Sequence, residues 1–207
     1  MMNEPVDPRD AERHRAKMAK RKAVQDAEVA AKTTVEKGLL IVHTGPGKGK
    51  STAAFGLALR MLGYGRSVGV VQFIKGAWHT GEKDAFAAFG ERVKWHTMGE
   101  GFTWETQDLA RDKAAAQRAF EKARDLMDDP ALSLVILDEL NIALRYDYLD
   151  LAEVIDALQA RRPDLHVVVT GRNAKPDMLA AADLVTEMQL VKHHFAAGVK
   201  AQVGIEF

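Results

Sequence analysis

Residues 44–52, TGPGKGKST, bring together lysines, hydroxyls and closely spaced glycines. That combination suits phosphate chemistry. Glycines at 45, 47 and 49 let successive backbone N–H groups turn inward around phosphate oxygens. Lys50 brings a cation to those oxygens, and the Ser51 hydroxyl is of the type that holds Mg²⁺. Thr44, Gly45, Gly47, Lys48, Gly49, Lys50, Ser51 and Thr52 are therefore the candidate nucleotide-binding residues. The strict pattern G-x-x-x-x-G-K-[ST] has glycine at position 44, where this chain has Thr44; Gly45 follows one place later. The bland alternative is a glycine-rich strand-to-helix turn carrying a chance lysine. The apolar run before the loop and the helical spacing after it, AAFGLALRML, favour the phosphate-binding reading.

Other residues of chemical interest lie further along. Asp138 and Glu139 follow the apolar run LSLVIL. Acidic groups at a strand tip bind Mg²⁺ directly or through water, so Ser51, Asp138 and Glu139 form the candidate metal set, for Mg²⁺ or Mn²⁺. Arg172, just past LHVVVT, can reach phosphate or ribose; otherwise it is a surface-loop arginine. Lys75 follows SVGVVQF at a position where ligands gather in open α/β sheets. Phe102 and Trp104 stand two apart in MGEGFTWETQ, either capping the core or forming an apolar wall for a flat ligand. The adjacent His193 and His194 lack partners at metal-ligand spacing and read as structural or substrate-contacting.

Strands and helices must alternate to position these groups. Apolar runs predict strands over residues 39–42, 67–73, 132–137 and 165–170, with others over 92–97 and 184–190 and a last short strand in the tail. Helices are expected directly after the glycine loop and over 82–89, 108–127, 151–160 and 176–182, with a loop over 98–107 and no element assigned to 141–148. This predicts an α/β fold of P-loop, RecA-like type, with a mostly parallel sheet covered on both faces. Residues 1–37 form a charged, alanine-rich arm ahead of a domain over 38–207. The arm is either solvated and partly disordered or a helix that folds over a ligand or a neighbouring subunit.

Composition narrows the function classes. Lys+Arg and Asp+Glu both number 29, which argues against a general nucleic-acid binder. No run reaches membrane-spanning length, and the N-terminus has no apolar signal core. With no cysteine, thiolate catalysis, disulfides and cysteine-ligated clusters are excluded. A soluble, cytoplasmic protein is expected.

The stretches TGPGKGKSTAAFG, VGVVQFIKG, GFTWET, LDELNIALRYDYL, VTGRN and VKHHFAAGVKAQVGIEF resemble the P-loop corrinoid adenosyltransferases of the CobA/CobO type. The resemblance runs from about residue 38 to 207 and includes the departure at Thr44. It implies transfer of the 5′-deoxyadenosyl group of ATP to the cobalt of a reduced Co(I) corrinoid, with release of triphosphate. It also implies ATP bound in reverse relative to ordinary phosphate-loop enzymes, a homodimer, and an external reduced flavin or flavoprotein as electron donor. Phe102 and Trp104 match the aromatic pair that fills the lower face of the corrinoid, leaving Co(II) four-coordinate and easier to reduce. Lys50, with Phe102 and Trp104, is then the catalytic set. Two rival readings are a phosphotransferase or ATPase using the same loop, and an ATP-gated regulator whose basic arm binds RNA or an acidic partner.

Overall fold

The computed structural model describes residues 7–32, 36–74, 80–99 and 108–206. The chain divides into two compact units, Met1–Glu36 and Lys37–Phe207. The first unit holds one helix, α1 (Pro8–Ala30). Asp7 caps it by accepting a hydrogen bond from the Arg9 amide at 2.8 Å, and Pro8 occupies the first turn, where a missing N–H costs nothing. No residue of α1 is buried.

The second unit is a six-stranded parallel sheet in the order β3-β2-β4-β5-β1-β6. The strands are β1 (Leu40–Thr44), β2 (Ser67–Gln72), β3 (Val93–Thr97), β4 (Leu132–Asp138), β5 (His166–Thr170) and β6 (Leu184–Glu187). The helices are α2 (Lys50–Gly63), α3 (Gly81–Ala87), α4 (Leu109–Asp128), α5 (Leu140–Arg145), α6 (Leu151–Gln159) and α7 (Pro176–Ala181). Successive strand residues point to opposite faces, and here both faces are covered. Leu40, Val42, Val71, Val135, Leu137, Val167 and Val169 pack on one side with Ala119, Phe120 and Ala123 of α4. Ile41, Val68, Val70, Leu134, Ile136 and Val168 pack on the other with Ala54, Phe55 and Ala58 of α2. This is why the central strands read as continuous apolar runs rather than alternating ones.

Two strand expectations need correction. The run at 184–190 pairs with β1 only through Glu187. Beyond it, the Met188 carbonyl accepts a hydrogen bond from the Gly47 amide at 2.6 Å, so the backbone serves the glycine loop instead of extending the sheet. The tail forms no strand among the described residues. His194–Ala197 is a 3₁₀ turn, and the next backbone bonds are local, such as Val199 N to His194 O and Glu206 N to Gln202 O. Residues 141–146, left without a predicted element, belong largely to α5.

Candidate active site

Because all six strands are parallel, their carboxyl ends meet at one edge, and the chemically apt residues collect there. The register sets His43 beside Thr170 and Gln72 beside Asp138. The glycine loop joins β1 to α2. Gly45 and Gly49 have φ of 94° and 104°, a region that side chains rarely enter. A Cβ on Gly45 would also stand 2.5 Å from the Met188 carbonyl oxygen. Thr44 is the buried last residue of β1, and its hydroxyl accepts a hydrogen bond from the Ala174 amide at 3.1 Å. The departure from the strict glycine pattern thus falls on a strand residue that ties down the segment after β5.

Lys50 opens α2 and is nearly buried. Its ammonium donates to the carbonyl oxygens of Gly45 at 3.0 Å and Gly47 at 2.5 Å. Burial lowers its pKa from the ordinary lysine value of 10.5; the Glu139 charge opposes that shift, and Arg172 and Lys48 add to it. Underneath, buried His43 donates from Nδ1 to the Lys50 carbonyl oxygen at 3.1 Å.

Ser51 Oγ donates to Asp138 Oδ1 at 2.7 Å, joining the first turn of α2 to the tip of β4. Asp138 is fully buried and accepts twice more, from Thr170 Oγ1 at 2.9 Å and from Gln72 Nε2 at 3.1 Å. Gln72 Oε1 in turn accepts from Trp95 Nε1 and Thr97 Oγ1, each at 3.1 Å. A chain of hydrogen bonds therefore crosses β3, β2, β4 and β5 and ends on α2. Glu139 has φ 65°, unusual for a residue with a side chain, and its amide donates to Thr170 Oγ1 at 2.9 Å.

The structure thus gathers Lys50, Ser51 and Asp138 into hydrogen-bonded contact with loop or neighbour, with Glu139 at the adjoining backbone turn. Lys48, Thr52 and Arg172 are exposed around them. Phe102, Trp104 and Lys75 lie outside the described residues. Sequence reading missed Gln72 and Thr170, the groups that hold the Asp138 carboxylate. Their signal was a lone polar residue closing each of two valine-rich strands, SVGVVQ and HVVVT. It also missed Glu206, whose carboxylate meets Lys48 and His194 although it stands twelve residues beyond the histidine. No helix among the described residues is long and apolar enough to cross a membrane.

Comparison with known proteins bears on this geometry. The family described as ATP:corrinoid adenosyltransferase BtuR/CobO/CobP matches residues 36–207, and a second family, cob(I)alamin adenosyltransferase N terminal, matches residues 2–29. A corrinoid adenosyltransferase of Pseudomonas aeruginosa is 56% identical, covering 100% of both chains. One from Sinorhizobium is 56% identical over 98% of this chain and 95% of its own. The corrinoid adenosyltransferase CobA of Salmonella typhimurium is 48% identical over 95% of this chain and 98% of its own. Likeness of that depth over the full sheet, glycine loop and N-terminal arm leaves one conclusion: the chain belongs to the ATP:corrinoid adenosyltransferase family.

Proposed function

We propose that this chain transfers the 5′-deoxyadenosyl group of ATP to the cobalt of a Co(I) corrinoid and releases inorganic triphosphate. Family membership supports the reaction class. The observation that supports these residues as its machinery is the 2.7 Å bond from Ser51 to Asp138, which couples the glycine loop to the acidic strand tip. In the transfer, the Co(I) lone pair attacks the ribose 5′ carbon. A cobalt–carbon bond forms, the 5′ C–O bond breaks, and the triphosphate leaves with that electron pair. No protein base or thiol is required, in keeping with a chain that has no cysteine.

The task left to the protein is to hold and neutralise a polyanionic leaving group. Lys50 rests on the carbonyls of Gly45 and Gly47, so an arriving phosphate replaces weaker neutral acceptors with charged ones. Loop amides and exposed Lys48 and Arg172 add positive potential. Ser51, Asp138 and Glu139 offer only oxygen donors, a set that fits Mg²⁺ or Mn²⁺. Bound there, the ion would neutralise charge on the triphosphate. Gln72 and Thr170 fix the Asp138 carboxylate. The left-handed backbone of Glu139 costs about 1–3 kcal/mol, which suits a residue held in place for a task. Phe102 and Trp104 are proposed to displace the lower ligand of Co(II), with electrons from an external reduced flavin or flavoprotein and with the enzyme working as a homodimer.

Anaerobic incubation with Co(I) corrinoid, ATP and Mg²⁺, followed by visible spectra and phosphate analysis, tests the reading. The expected products are adenosylcorrinoid and triphosphate in equal amounts. Release of ADP or orthophosphate with no cobalt–carbon bond would assign the site to phosphoryl transfer instead.

A further inference from the structure

The C-terminal residues return to the phosphate loop through one carboxylate. Glu206 Oε2 accepts a hydrogen bond from Lys48 Nζ at 2.6 Å. Its other oxygen lies 2.7 Å from His194 Nε2. Both atoms of that second pair are shielded from solvent, and neither has a hydrogen-bond partner. His193 stacks on His194 with ring centroids 4.7 Å apart, and one ligand-type atom from each of His193, His194 and Glu206 falls within 4.8 Å of the others.

Such a trio invites a metal, but the hydrogen bonding of His193 opposes it. Its Nδ1 accepts from the Phe195 amide at 3.1 Å, so in the neutral ring Nε2 carries the proton and is a donor rather than a ligand. Lys48, His193 and His194 therefore form a basic cluster around an anion. The hydrogen bond from Lys48, with the Lys48 charge, holds the Glu206 carboxyl below its ordinary value of 4.5.

We infer that Lys48, His193 and His194 form a phosphoryl subsite at the rim of the glycine loop, that Glu206 occupies it as a resident carboxylate, and that an arriving triphosphate displaces Glu206 and frees the C-terminal segment. The inference rests on reading the loop as the triphosphate site. Lys48 is a loop residue, so whatever fills the loop competes for its ammonium. A phosphoryl group carries more charge than a carboxylate and more acceptor oxygens, and it can satisfy the shielded His194 nitrogen that Glu206 leaves without a hydrogen bond. Among the described residues of the segment, apolar anchoring is thin. Val203 and Ile205, which flank the contact, are 83% and 79% exposed, so the segment has few apolar anchors there.

Titration calorimetry with inorganic tripolyphosphate and Mg²⁺, on the full chain without corrinoid, tests this. A resident competitor lowers apparent affinity in proportion to its occupancy, so Glu206→Gln and Glu206→Ala should each bind tripolyphosphate about three- to tenfold more tightly than the wild type. Lys48→Ala should bind more weakly, and adding Glu206→Gln to it should restore much less than it gains in the wild type. Amide exchange over residues 199–206 should speed up when tripolyphosphate binds the wild type. Equal or weaker binding by both Glu206 variants, or unchanged exchange, would overturn the subsite while leaving the loop intact. No tripolyphosphate binding to the wild type would overturn the loop reading and the subsite together.

Discussion

Lys50 shows how the loop is prepared for its ligand. Its ammonium is nearly buried, yet its hydrogen-bond partners are two neutral carbonyls of its own loop. Burial without a full counter-charge lowers its pKa, so it loses its proton below the 10.5 of an ordinary lysine. The sign of the consequence is definite. Raising the pH removes the cation proposed to grip phosphate, so tripolyphosphate affinity should start to fall before pH 10.5, whereas a Lys50→Ala variant should lack that component. The same variant should lose about 10²–10³-fold in turnover with its circular dichroism unchanged, because a transition-state charge has gone. Gln72 is a different kind of residue, fully buried and bonded to Asp138, Trp95 and Thr97. Gln72→Leu removes a donor to Asp138 and an acceptor for Trp95 and Thr97. Losing those hydrogen bonds should cost about 1–3 kcal/mol in urea unfolding, and should raise the Mg²⁺ concentration needed for half-maximal rate. Phe102→Ala and Trp104→Ala should slow the reaction from cob(II)alamin with a weak reductant and recover much of the rate with preformed cob(I)alamin. Equal losses in both assays would leave the pair as a plain wall of the site.

At the scale of elements, the sheet order explains why the site assembles. β5 lies between β1 and β4, so Thr170 at its tip reaches the carboxylate on one side of it while His43 lies beside it on the other. The apolar runs of β1, β2, β4 and β5 were legible because both faces of each strand are buried, as in a parallel sheet between helix layers. β6 was overextended because LVTEMQL carries apolar residues at 184, 185, 188 and 190. What stops the strand at Glu187 is a hydrogen bond from Gly47, a contact 141 residues away in sequence that no local pattern reveals. Glu206 was missed for the same reason, since an acidic residue near a terminus has no motif until the fold brings it to Lys48. The arm shows the opposite limit. α1 has a cap, helix-forming residues and the exposed pair Lys22–Asp26, but no buried face. Exposed pairs contribute little, so its helicity rests on propensity and capping. A peptide of residues 7–32 should show a partial far-UV helix signal that declines gradually on heating. Asp7→Ala should reduce that signal, with about 1 kcal/mol of cap energy lost; a sharp, cooperative melt would contradict this account.

On the scale of the whole molecule, net charge is zero while positive groups converge at one edge of the sheet. Lys48, Lys50 and Arg172 surround the loop, with the loop amides between them, so attraction for a polyanion is local rather than general. This shapes the end of the reaction more than its beginning. In phosphoryl transfer the phosphate chain is cut, and each fragment keeps only part of the grip. In adenosyl transfer the chain leaves whole, and cleavage of the 5′ C–O bond adds negative charge at the freed oxygen. Every loop contact made by the phosphates of ATP remains available to the product, and one charge has been added. Triphosphate should therefore compete directly with ATP and bind at least as tightly, with diphosphate weaker and orthophosphate weaker again. Its release should be slow, so rapid mixing of enzyme, Co(I) corrinoid and ATP should give a burst near one adenosylcorrinoid per active site before a slower steady rate. Raising ionic strength should weaken triphosphate inhibition and shorten the approach to steady state, because both depend on the same local charges. Absence of a burst, together with triphosphate inhibition that ATP cannot overcome, would mean that the leaving group is held somewhere other than the glycine loop.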